Sequence, residues 1–208
     1  MTASIRPLRA DAARNRASLL AAAEAEFAER GPDASVADIA RRAGVGKGTV
    51  FRHFPTKDDL LAAVVLDRID GLAELARRLG DASDAGAALL EFLDAAASRQ
   101  QQLDLSFLRE SGTLNDHLAE ARGRLFVEIT ALVERAQAAG AVRHDVTGTD
   151  VILLMCAPSH VVSFVPQASP ELWRRYLAII FDGLGPNGAR PLPQPPPDPV
   201  SGELHHPR

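Results

Sequence analysis

Cysteine, aromatic side chains and long apolar runs are all scarce in this chain of 208 residues. Its single cysteine, Cys156, excludes an internal disulfide framework and a zinc ribbon, and is compatible with a reducing compartment. No stretch approaches the roughly 18–20 consecutive apolar residues of a membrane span, and the first residues lack the pattern of a signal peptide. We therefore expect a soluble, cytoplasmic protein that has no membrane partner.

Only 5% of the residues are aromatic, whereas 46% are hydrophobic and alanine is abundant. This balance favours helices over sheets and is sufficient for a buried core. Residues 1–60 contain ten Lys and Arg residues against eight Asp and Glu residues, and the remainder contains 13 against 19. An architectural protein that coats nucleic acid would need basic residues throughout. The distribution instead indicates a basic end on an acidic body.

Apolar residues recur at helical spacing along the chain, so we predict an all-α fold. The N-terminal domain, residues 1–55, has predicted helices at 11–30, 36–43 and 47–54. A long helix from Thr56 to about Leu79 joins it to a C-terminal helical domain, residues 56–184. Further helices are predicted there at about 84–101, 104–111, 114–139, 147–165 and 170–183. The tail, residues 185–208, is rich in proline and glycine and is predicted to be disordered.

The stretch "AGVGKGTVFRHF", Ala43 to Phe54, is similar both to the end of a phosphate-binding loop and to a helix-turn-helix. A phosphate-binding loop requires G-x-x-x-x-G-K-[ST] between a buried strand and a helix. Arg41 stands where the first glycine should be, and Gly48 follows Lys47 where Ser or Thr is needed. The preceding segment, "VADIARRA", has helical periodicity. These departures exclude a nucleotide-binding lysine at position 47.

A helix-turn-helix fits the same stretch at every position. Gly44 would form the turn, and the short second helix would be anchored by Val50 and Phe54. The outward residues would then be Thr49, Phe51, Arg52 and His53. An ordinary helical hairpin with a solvated basic face is the alternative, but it gives an exposed Phe51 no structural purpose.

The stretch from Ser35 to Val64, "SVADIARRAGVGKGTVFRHFPTKDDLLAAV", resembles the DNA-binding domain of the TetR family of bacterial transcriptional regulators. That family typically has Thr-Val-x-x-Ile-Ala-x-x-Ala-Gly-Val-Ser-x-Gly-Thr-aromatic-Tyr-x-His-Phe-x-x-Lys-x-x-Leu. The resemblance implies a homodimer, a palindromic operator in double-stranded DNA, and a C-terminal domain that binds a small-molecule effector. We expect no cofactor and no metal ion.

The resemblance also implies which residues contact DNA when it is carried over position by position. These residues are Ser35, Lys47, Gly48, Thr49, Phe51, Arg52, His53 and Lys57. Two positions depart from the family pattern: Gly46 replaces the usual Ser and removes an N-cap hydroxyl, and Phe51 replaces the usual Tyr. Phe51 could touch a thymine methyl or a sugar instead of phosphate, and Arg52 could contact guanine or phosphate.

Members of the family diverge in the C-terminal domain, so the resemblance does not name the effector. Residues that the helical pattern places inward are candidates for its pocket, although core packing is the alternative for each apolar one. Polar candidates are included because a buried polar group needs a partner. The candidates are Phe92, Phe107, Arg109, His117, Arg122, Phe126, Met155 and His160.

The function predicted from the sequence is a transcriptional repressor, not an enzyme, that a small and largely apolar ligand releases from its operator. The dimer interface is expected in the helices at 147–165 and 170–183, as the resemblance implies. The alternative is an enzyme or a metal-binding protein, because Cys156 and His160 are one helical turn apart. A lone thiol, however, is more often a small hydrophobic residue.

Overall fold

The computed structural model describes residues 5–102, 115–155, 157–158, 165, 169–187 and 190–197. Within these ranges the chain has no strand and forms eight helices, and none of them combines the length and apolar content needed to cross a membrane. The helices are α1 (Ile5–Arg30), α2 (Val36–Arg42), α3 (Lys47–His53), α4 (Lys57–Leu79), α5 (Ala85–Gln102), α6 (Asn115–Ala138), α7 (Gly148–Met155) and α8 (Leu172–Gly183). The predicted all-α fold is confirmed. Helix α1 begins six residues earlier than expected, and the helix predicted at 104–111 lies outside the described residues.

The chain divides into two compact units, and the division falls within α4. Unit 1 contains the chain up to Arg68, and unit 2 contains most of the chain from Ile69 onward. The first turns of α4 belong to unit 1 because Leu60 and Val64 are buried in its core. The long helix predicted from Thr56 to about Leu79 is therefore shared by both units.

The core of unit 1 is built from α1, α2, α3 and the first turns of α4. Phe27, Ile39 and Val50 are each at most 1% exposed, and they come from three different helices. Helices α2 and α3 have only seven residues each. Isolated helices of that length are marginal in water, so both depend on this packing. The other buried apolar residues of this core are Leu19, Leu20, Ala22, Ala23, Ala34, Ala40, Phe54, Leu60, Leu61, Ala63 and Val64.

Glycines and capping side chains set the bounds of the helices in unit 1. Gly31 (φ +55°) follows α1, and Gly44 (φ +69°) turns the chain between α2 and α3. Both φ values lie in the left-handed region that favours glycine. Helix α4 begins with a reciprocal capping box: the Asp59 N–H donates to Thr56 Oγ1, and the Thr56 N–H donates to Asp59 Oδ2, both at 3.0 Å.

The core of unit 2 is separate and is built from the second half of α4 with α5, α6, α7 and α8. Phe92 and Ile129 are fully buried, and Trp173 is 2% exposed. The Arg135 guanidinium donates a hydrogen bond to the main-chain oxygen of Ala82 at 2.7 Å, in the connection between α4 and α5. This contact uses a carbonyl that no helix satisfies, so it fixes the turn that follows α4.

Helix α7 begins against α6 at a position that requires glycine. A Cβ added to Gly148 would lie 2.4 Å from Thr130 Oγ1 and 3.1 Å from Thr130 Cα. The start of α7 has its own capping box, in which the Thr147 N–H donates to Asp150 Oδ2 at 2.7 Å. The cap and the glycine together set where α7 starts and how closely it approaches α6.

The chain after α8 returns to the connection between α6 and α7. The Arg143 N–H donates to the Leu184 oxygen at 2.8 Å, and the Arg143 guanidinium donates to the Arg190 oxygen at 2.5 Å. The same guanidinium pairs with both carboxylate oxygens of Asp145. That hydrogen bond is the main cause that lowers the pKa of Asp145 to about 2, and the Leu192 main chain adds to it. The tail that was predicted to be disordered thus contacts this connection at Arg190 and Leu192.

Gly148→Ala is expected to destabilise unit 2, because its Cβ would overlap Thr130. Overpacking of this kind costs typically about 1–3 kcal/mol, which urea denaturation followed by circular dichroism would detect. Adding Thr130→Ala removes the nearest atom and should restore part of the loss. The control is Gly123→Ala in α6, where a Cβ meets nothing within 4 Å. It should stabilise by about 0.5–1 kcal/mol. An unchanged Gly148→Ala protein would contradict the close approach of α6 and α7.

Candidate nucleic-acid interface

Two side chains on one face hold α3 in unit 1. Val50 and Phe54 are 1% and 4% exposed. The Phe54 N–H donates to the Val50 oxygen at 2.8 Å where the helix ends. Pro55 follows and cannot continue the helical hydrogen bonds. This anchoring determines which residues of α3 face outward.

The outward face of α3 contains most of the residues for which DNA contacts are predicted. Gly48 and Arg52 are four residues apart and therefore neighbours on the surface of the helix. Phe51 is 48% exposed although it is a large apolar side chain. The exposed residues of this face are Lys47, Gly48, Phe51, Arg52 and His53, and Thr49 is half-buried. The structure thus brings six predicted residues together, and their contact with DNA stays a prediction.

Nothing in the described part of unit 1 requires glycine at two positions of this face. Gly46 precedes α3 as its N-cap and gives no side-chain hydrogen bond, and Gly48 lies in the first turn. Nothing lies within 4 Å of a Cβ added to either residue, and neither has a positive φ. Glycine inside a helix destabilises it by roughly 0.5–1 kcal/mol relative to alanine. The missing side chains leave the main chain open to close approach by an external surface.

Ion pairs between α1 and α2 use three of the arginines of unit 1. The nearly buried Glu26 pairs with Arg42 at 2.9 Å, and Glu29 pairs with the same guanidinium at 2.7 Å. The hydrogen bond that Arg42 donates to Glu29 is the largest cause that raises the pKa of Arg42. Arg30 pairs with Asp38 at 2.9 Å, and Asp38 also pairs with Arg41. These contacts join residues as far as 16 positions apart, and the sequence pattern did not predict them.

The cations on the outward face of α3 differ from these arginines in their contacts with acidic side chains. Among the residues that the structure describes, Lys47 and Arg52 form no ion pair with an acidic side chain. The acidic side chains of α1 and α2 neutralise Arg30, Arg41 and Arg42 instead. Lys47 and Arg52 of α3 are therefore available to an external anion.

The Ser35 hydroxyl already forms hydrogen bonds within unit 1. Its Oγ accepts a hydrogen bond from the Asp38 N–H at 3.1 Å and donates one to Asp38 Oδ2 at 2.7 Å. This hydroxyl is the largest cause that lowers the pKa of Asp38, and Arg41 and Arg30 lower it further. A phosphate contact from the Ser35 side chain, as predicted, would require the hydroxyl to leave Asp38.

Lys57 lies at the start of α4 and is half-buried. Its ammonium group is 5.9 Å from the centre of the Phe27 ring, within the range of a cation–π contact. Phe27 is part of the buried core, so the charge of Lys57 has a fixed place beside it. The predicted phosphate contact of Lys57 would be made from that place.

Comparison with known proteins decides the family. The model described as "Bacterial regulatory proteins, tetR family" matches residues 19–64, and "Transcriptional regulator SbtR-like, C-terminal domain" matches residues 84–186. The solved TetR regulator of Mycobacterium vanbaalenii is 37% identical, with 86% of this chain and 99% of that chain covered and a TM-score of 0.68. The chain belongs to the TetR family of transcriptional regulators. The TetR regulator SCO0520 of Streptomyces coelicolor is 30% identical, covers 83% and 99%, and also has a TM-score of 0.68.

Relatives that match over a shorter stretch are also HTH-type transcriptional regulators. An HTH-type transcriptional repressor of Mycobacterium tuberculosis is 58% identical over 50 residues, 24% of this chain and 27% of the repressor. The match thus spans only about a quarter of that relative. The HTH-type regulator TtgW of Pseudomonas putida is 34% identical over 122 residues, 55% of this chain and 91% of TtgW. TetR-family regulators bind DNA and small-molecule effectors and act as dimers.

The SbtR-like C-terminal domain model matches residues 84–186, most of which belong to unit 2. Of the predicted pocket residues, Phe92 is fully buried in the core, and Phe126 and Met155 are half-buried. Their part in a pocket stays a prediction. Three further predicted pocket residues, Phe107, Arg109 and His160, lie outside the described residues.

His117 and Arg122 are placed differently from the expectation. The His117 side chain is 88% exposed, and Arg122 is exposed as well. Among the described side chains of α6, burial begins at Ala121, so the first turn of the helix precedes the part that packs in the core. An exposed imidazole needs no buried partner within the protein, and contact of His117 with an effector stays a prediction.

The alternative site of Cys156 and His160 also lies outside the described residues. Within the described part of the chain, no group of three or more His, Cys, Asp and Glu side chains could hold a metal ion. The TetR family consists of transcriptional regulators rather than enzymes. An enzymatic role for this chain stays an untested alternative.

Ser35→Ala is expected to lower the free energy of unfolding of unit 1 and to raise the pKa of Asp38. Loss of an N-cap hydroxyl costs typically about 1 kcal/mol. The Asp38 pKa is lowered in the folded protein, so its contribution to stability is present above the ordinary value of 3.8. That contribution is lost as pH falls through the folded-state pKa. The difference between wild type and variant should therefore be smaller at about pH 2 than at pH 7.

Denaturation at both pH values and a titration of Asp38 by NMR would measure these effects. Ser18→Ala is the matched control, because Ser18 is an exposed serine of α1. It should change stability by less than about 0.5 kcal/mol. An Asp38 titration that is unchanged by Ser35→Ala would contradict the hydrogen bond between the two side chains.

Proposed function

We propose that this TetR-family chain is a repressor whose homodimer binds a palindromic operator and leaves it when a small, largely apolar ligand binds. The supporting observation is the outward face of α3, where exposed cations stand beside glycines that nothing in the described part of unit 1 requires. A dimer on a palindrome close to a promoter obstructs the polymerase, which favours repression over activation. The Mycobacterium tuberculosis relative is named as a repressor.

In this proposal α3 enters the major groove with its exposed face toward the base edges. Arg52, at the middle of that face, contacts guanine or a phosphate, and Phe51 contacts a thymine methyl or a sugar. Lys47 and Lys57 contact phosphates and position the helix. Gly48 allows the main chain of α3 to approach the groove closely.

Footprinting of the purified protein on the intergenic DNA upstream of its own gene tests operator binding. The expected result is a protected region with two half-sites related by a dyad, about 34 Å or a multiple of that apart. Transcription from that promoter in vitro should fall when the protein is added. Uniform protection without sequence preference would contradict the proposal and favour an architectural role.

Gly48→Ala is expected to stabilise unit 1 while it weakens DNA binding. The alanine should add about 0.5–1 kcal/mol to helix stability, because no atom lies within 4 Å of its Cβ. The same methyl group would stand between α3 and the groove. Thermal unfolding and fluorescence anisotropy on the operator would measure the two effects.

The control for Gly48→Ala is Gly123→Ala, which adds a methyl group at an equally open helical position of unit 2. It should raise stability to a similar extent and leave the affinity for the operator unchanged. A Gly48→Ala protein that binds the operator as tightly as wild type would contradict a close approach of α3 to DNA.

Dimerisation is proposed because one short recognition helix contacts too few base pairs for tight and specific binding. Exposed apolar side chains occur on four helices of unit 2, with Leu90 37%, Val127 64%, Leu153 43% and Ile179 55% exposed. Leu153 and Ile179 lie on α7 and α8. We place the interface on α8 and the segment 147–165, where pairing of two protomers would cover these side chains.

Ile179→Glu is expected to convert the dimer into a monomer, because it places a charge in the proposed interface. Light scattering at micromolar concentration without DNA would measure the mass. Val127→Glu is the control, since Val127 of α6 is 64% exposed and lies outside the proposed interface. A wild-type protein that is monomeric under these conditions would overturn the proposed interface.

The effector is proposed to bind in unit 2 among α5, α6 and α7, which contain Phe92, Phe126 and Met155. Helix α4 starts next to the recognition helix in sequence and ends in unit 2. A tilt of α4 on ligand binding would change the separation of the two recognition helices of a dimer. That separation must match the fixed spacing of the half-sites.

A ligand that raises the melting temperature should bind more weakly in the presence of operator DNA. Coupling between two sites is reciprocal, so the ligand and the operator should weaken each other by the same factor, typically about 5–150-fold. Calorimetric titration of the ligand with and without operator would measure it. Equal affinities in both titrations would contradict regulation of DNA binding through the effector domain.

A further inference from the structure

The positive charge of unit 1 is concentrated ahead of the part that the TetR family model matches. Residues 1–18 contain four arginines and one acidic residue. Residues 19–60 contain six Lys and Arg residues against seven Asp and Glu residues, and the match to the family model begins at residue 19. Three of those six basic residues, Arg30, Arg41 and Arg42, are ion-paired. The matched part therefore brings no net positive charge to a polyanion such as DNA.

Helix α1 begins well ahead of the first of its described side chains that is buried. It begins at Ile5, but burial among its described side chains begins only at Leu19, and residues 14–18 are all exposed. At 1.5 Å per residue, the helix continues for about 21 Å ahead of Leu19. We call residues 5–18 the basic segment, since they contain Arg6, Arg9, Arg14 and Arg16. The length of this helix is not explained by packing of the described side chains.

The C-terminal end of the basic segment lies beside the recognition helix. The Arg16 guanidinium carbon is 5.6 Å from the centre of the Phe54 ring, at the C-terminal end of α3. The ring of His53, on the outward face of α3, is 6.2 Å from the same Phe54 ring. The contact therefore places the end of the basic segment next to the surface that we propose for DNA.

The positive charge of the basic segment destabilises the N-terminal end of α1. The first turn of α1 has no acidic residue, and Arg6 is the second residue of the helix. Positive charge at this end is disfavoured by the helix macrodipole. Phosphates next to the segment would offset that repulsion, and DNA is the polyanion that the neighbouring α3 is proposed to bind.

We propose that the basic segment is a second DNA-binding element, which contacts phosphates flanking the groove that α3 occupies. Arg6 and Arg9 supply contacts to the phosphate backbone and carry no sequence information. Arg16 stays against Phe54 and positions the segment. The inference rests on the proposed function, because it takes the polyanion to be the DNA that α3 binds.

The test compares Arg6→Gln/Arg9→Gln with Arg78→Gln/Arg190→Gln, which removes the same charge from exposed residues of unit 2. The probe is a random-sequence duplex of about 30 base pairs, because phosphate contacts do not depend on sequence. Its affinity is measured by anisotropy at salt concentrations from about 50 to about 200 mM. The slope of log K against log salt reports the number of phosphate contacts, about 0.9 per contact.

The expected result is a slope that falls by about 3.6, because the variant dimer lacks four arginines that each contact a phosphate. The advantage of wild type over the variant then shrinks about 150-fold across this salt range. The operator, once footprinted, should lose affinity by the same factor as random DNA. The control should keep the wild-type slope, and circular dichroism should show that both variants keep their helix content.

Three results would overturn the inference, and each is distinct from the others. If the variant keeps the wild-type slope, the basic segment does not contact phosphate, whatever α3 does. If the affinity falls while the slope stays the same, the arginines act on the structure of unit 1 rather than on DNA. If wild type itself binds neither duplex, the proposed function fails and the inference fails with it.

Discussion

The position of α3 depends on the burial of Val50 and Phe54. A helix of seven residues with a glycine in its first turn and no side-chain cap would not form by itself in water. The core of unit 1 supplies what the local sequence lacks, because both side chains are almost completely buried there. Since these two residues fix the rotation of the helix, they also determine that Gly48 and Arg52 face outward. The chain can therefore keep weak helix formers on that face without losing the helix.

The ion pairs of unit 1 involve the arginines of α1 and α2 and leave the cations of α3 available to an external anion. Glu26, Glu29 and Asp38 pair with the arginines of α1 and α2, so that these two helices are held together by charge as well as by apolar packing. Removing Arg42 would leave the buried carboxylate of Glu26 with only its 3.4 Å contact to Arg30. The cations of α3 take no part in these pairs. The same number of basic residues would give a very different surface if the acids lay elsewhere in the sequence.

Much of the fold and part of the candidate site could be predicted from the sequence, because the relevant signals are local. Gly44, Thr56 and Pro55 mark helix boundaries by their own backbone and capping preferences, and the period of apolar residues gives the inward face of each helix. The contacts between distant residues could not be predicted. The pairing of Glu26 with Arg42 depends on how two helices cross, and the contact of Arg143 with the tail depends on where the chain returns after α8. His117 shows the same limit. The period of apolar residues indicates the inward face of α6, but it does not tell how far the core extends along that helix.

Helix α4 contains one of the points at which the chain passes from unit 1 to unit 2. Its start is capped by Thr56 and Asp59 in unit 1, and Arg135 contacts the chain just after its end in unit 2. A capped helix without proline has no point at which it bends easily. Gly71 is its only glycine and lies three residues after the division between the units, with Arg99 of α5 3.2 Å from where a Cβ would be. Glycine weakens a helix by only about 0.5–1 kcal/mol, which is small beside the packing on both sides. A displacement of the second half of α4 would therefore reach its first half, and through Leu60 and Val64 it would reach the core against which α3 is packed.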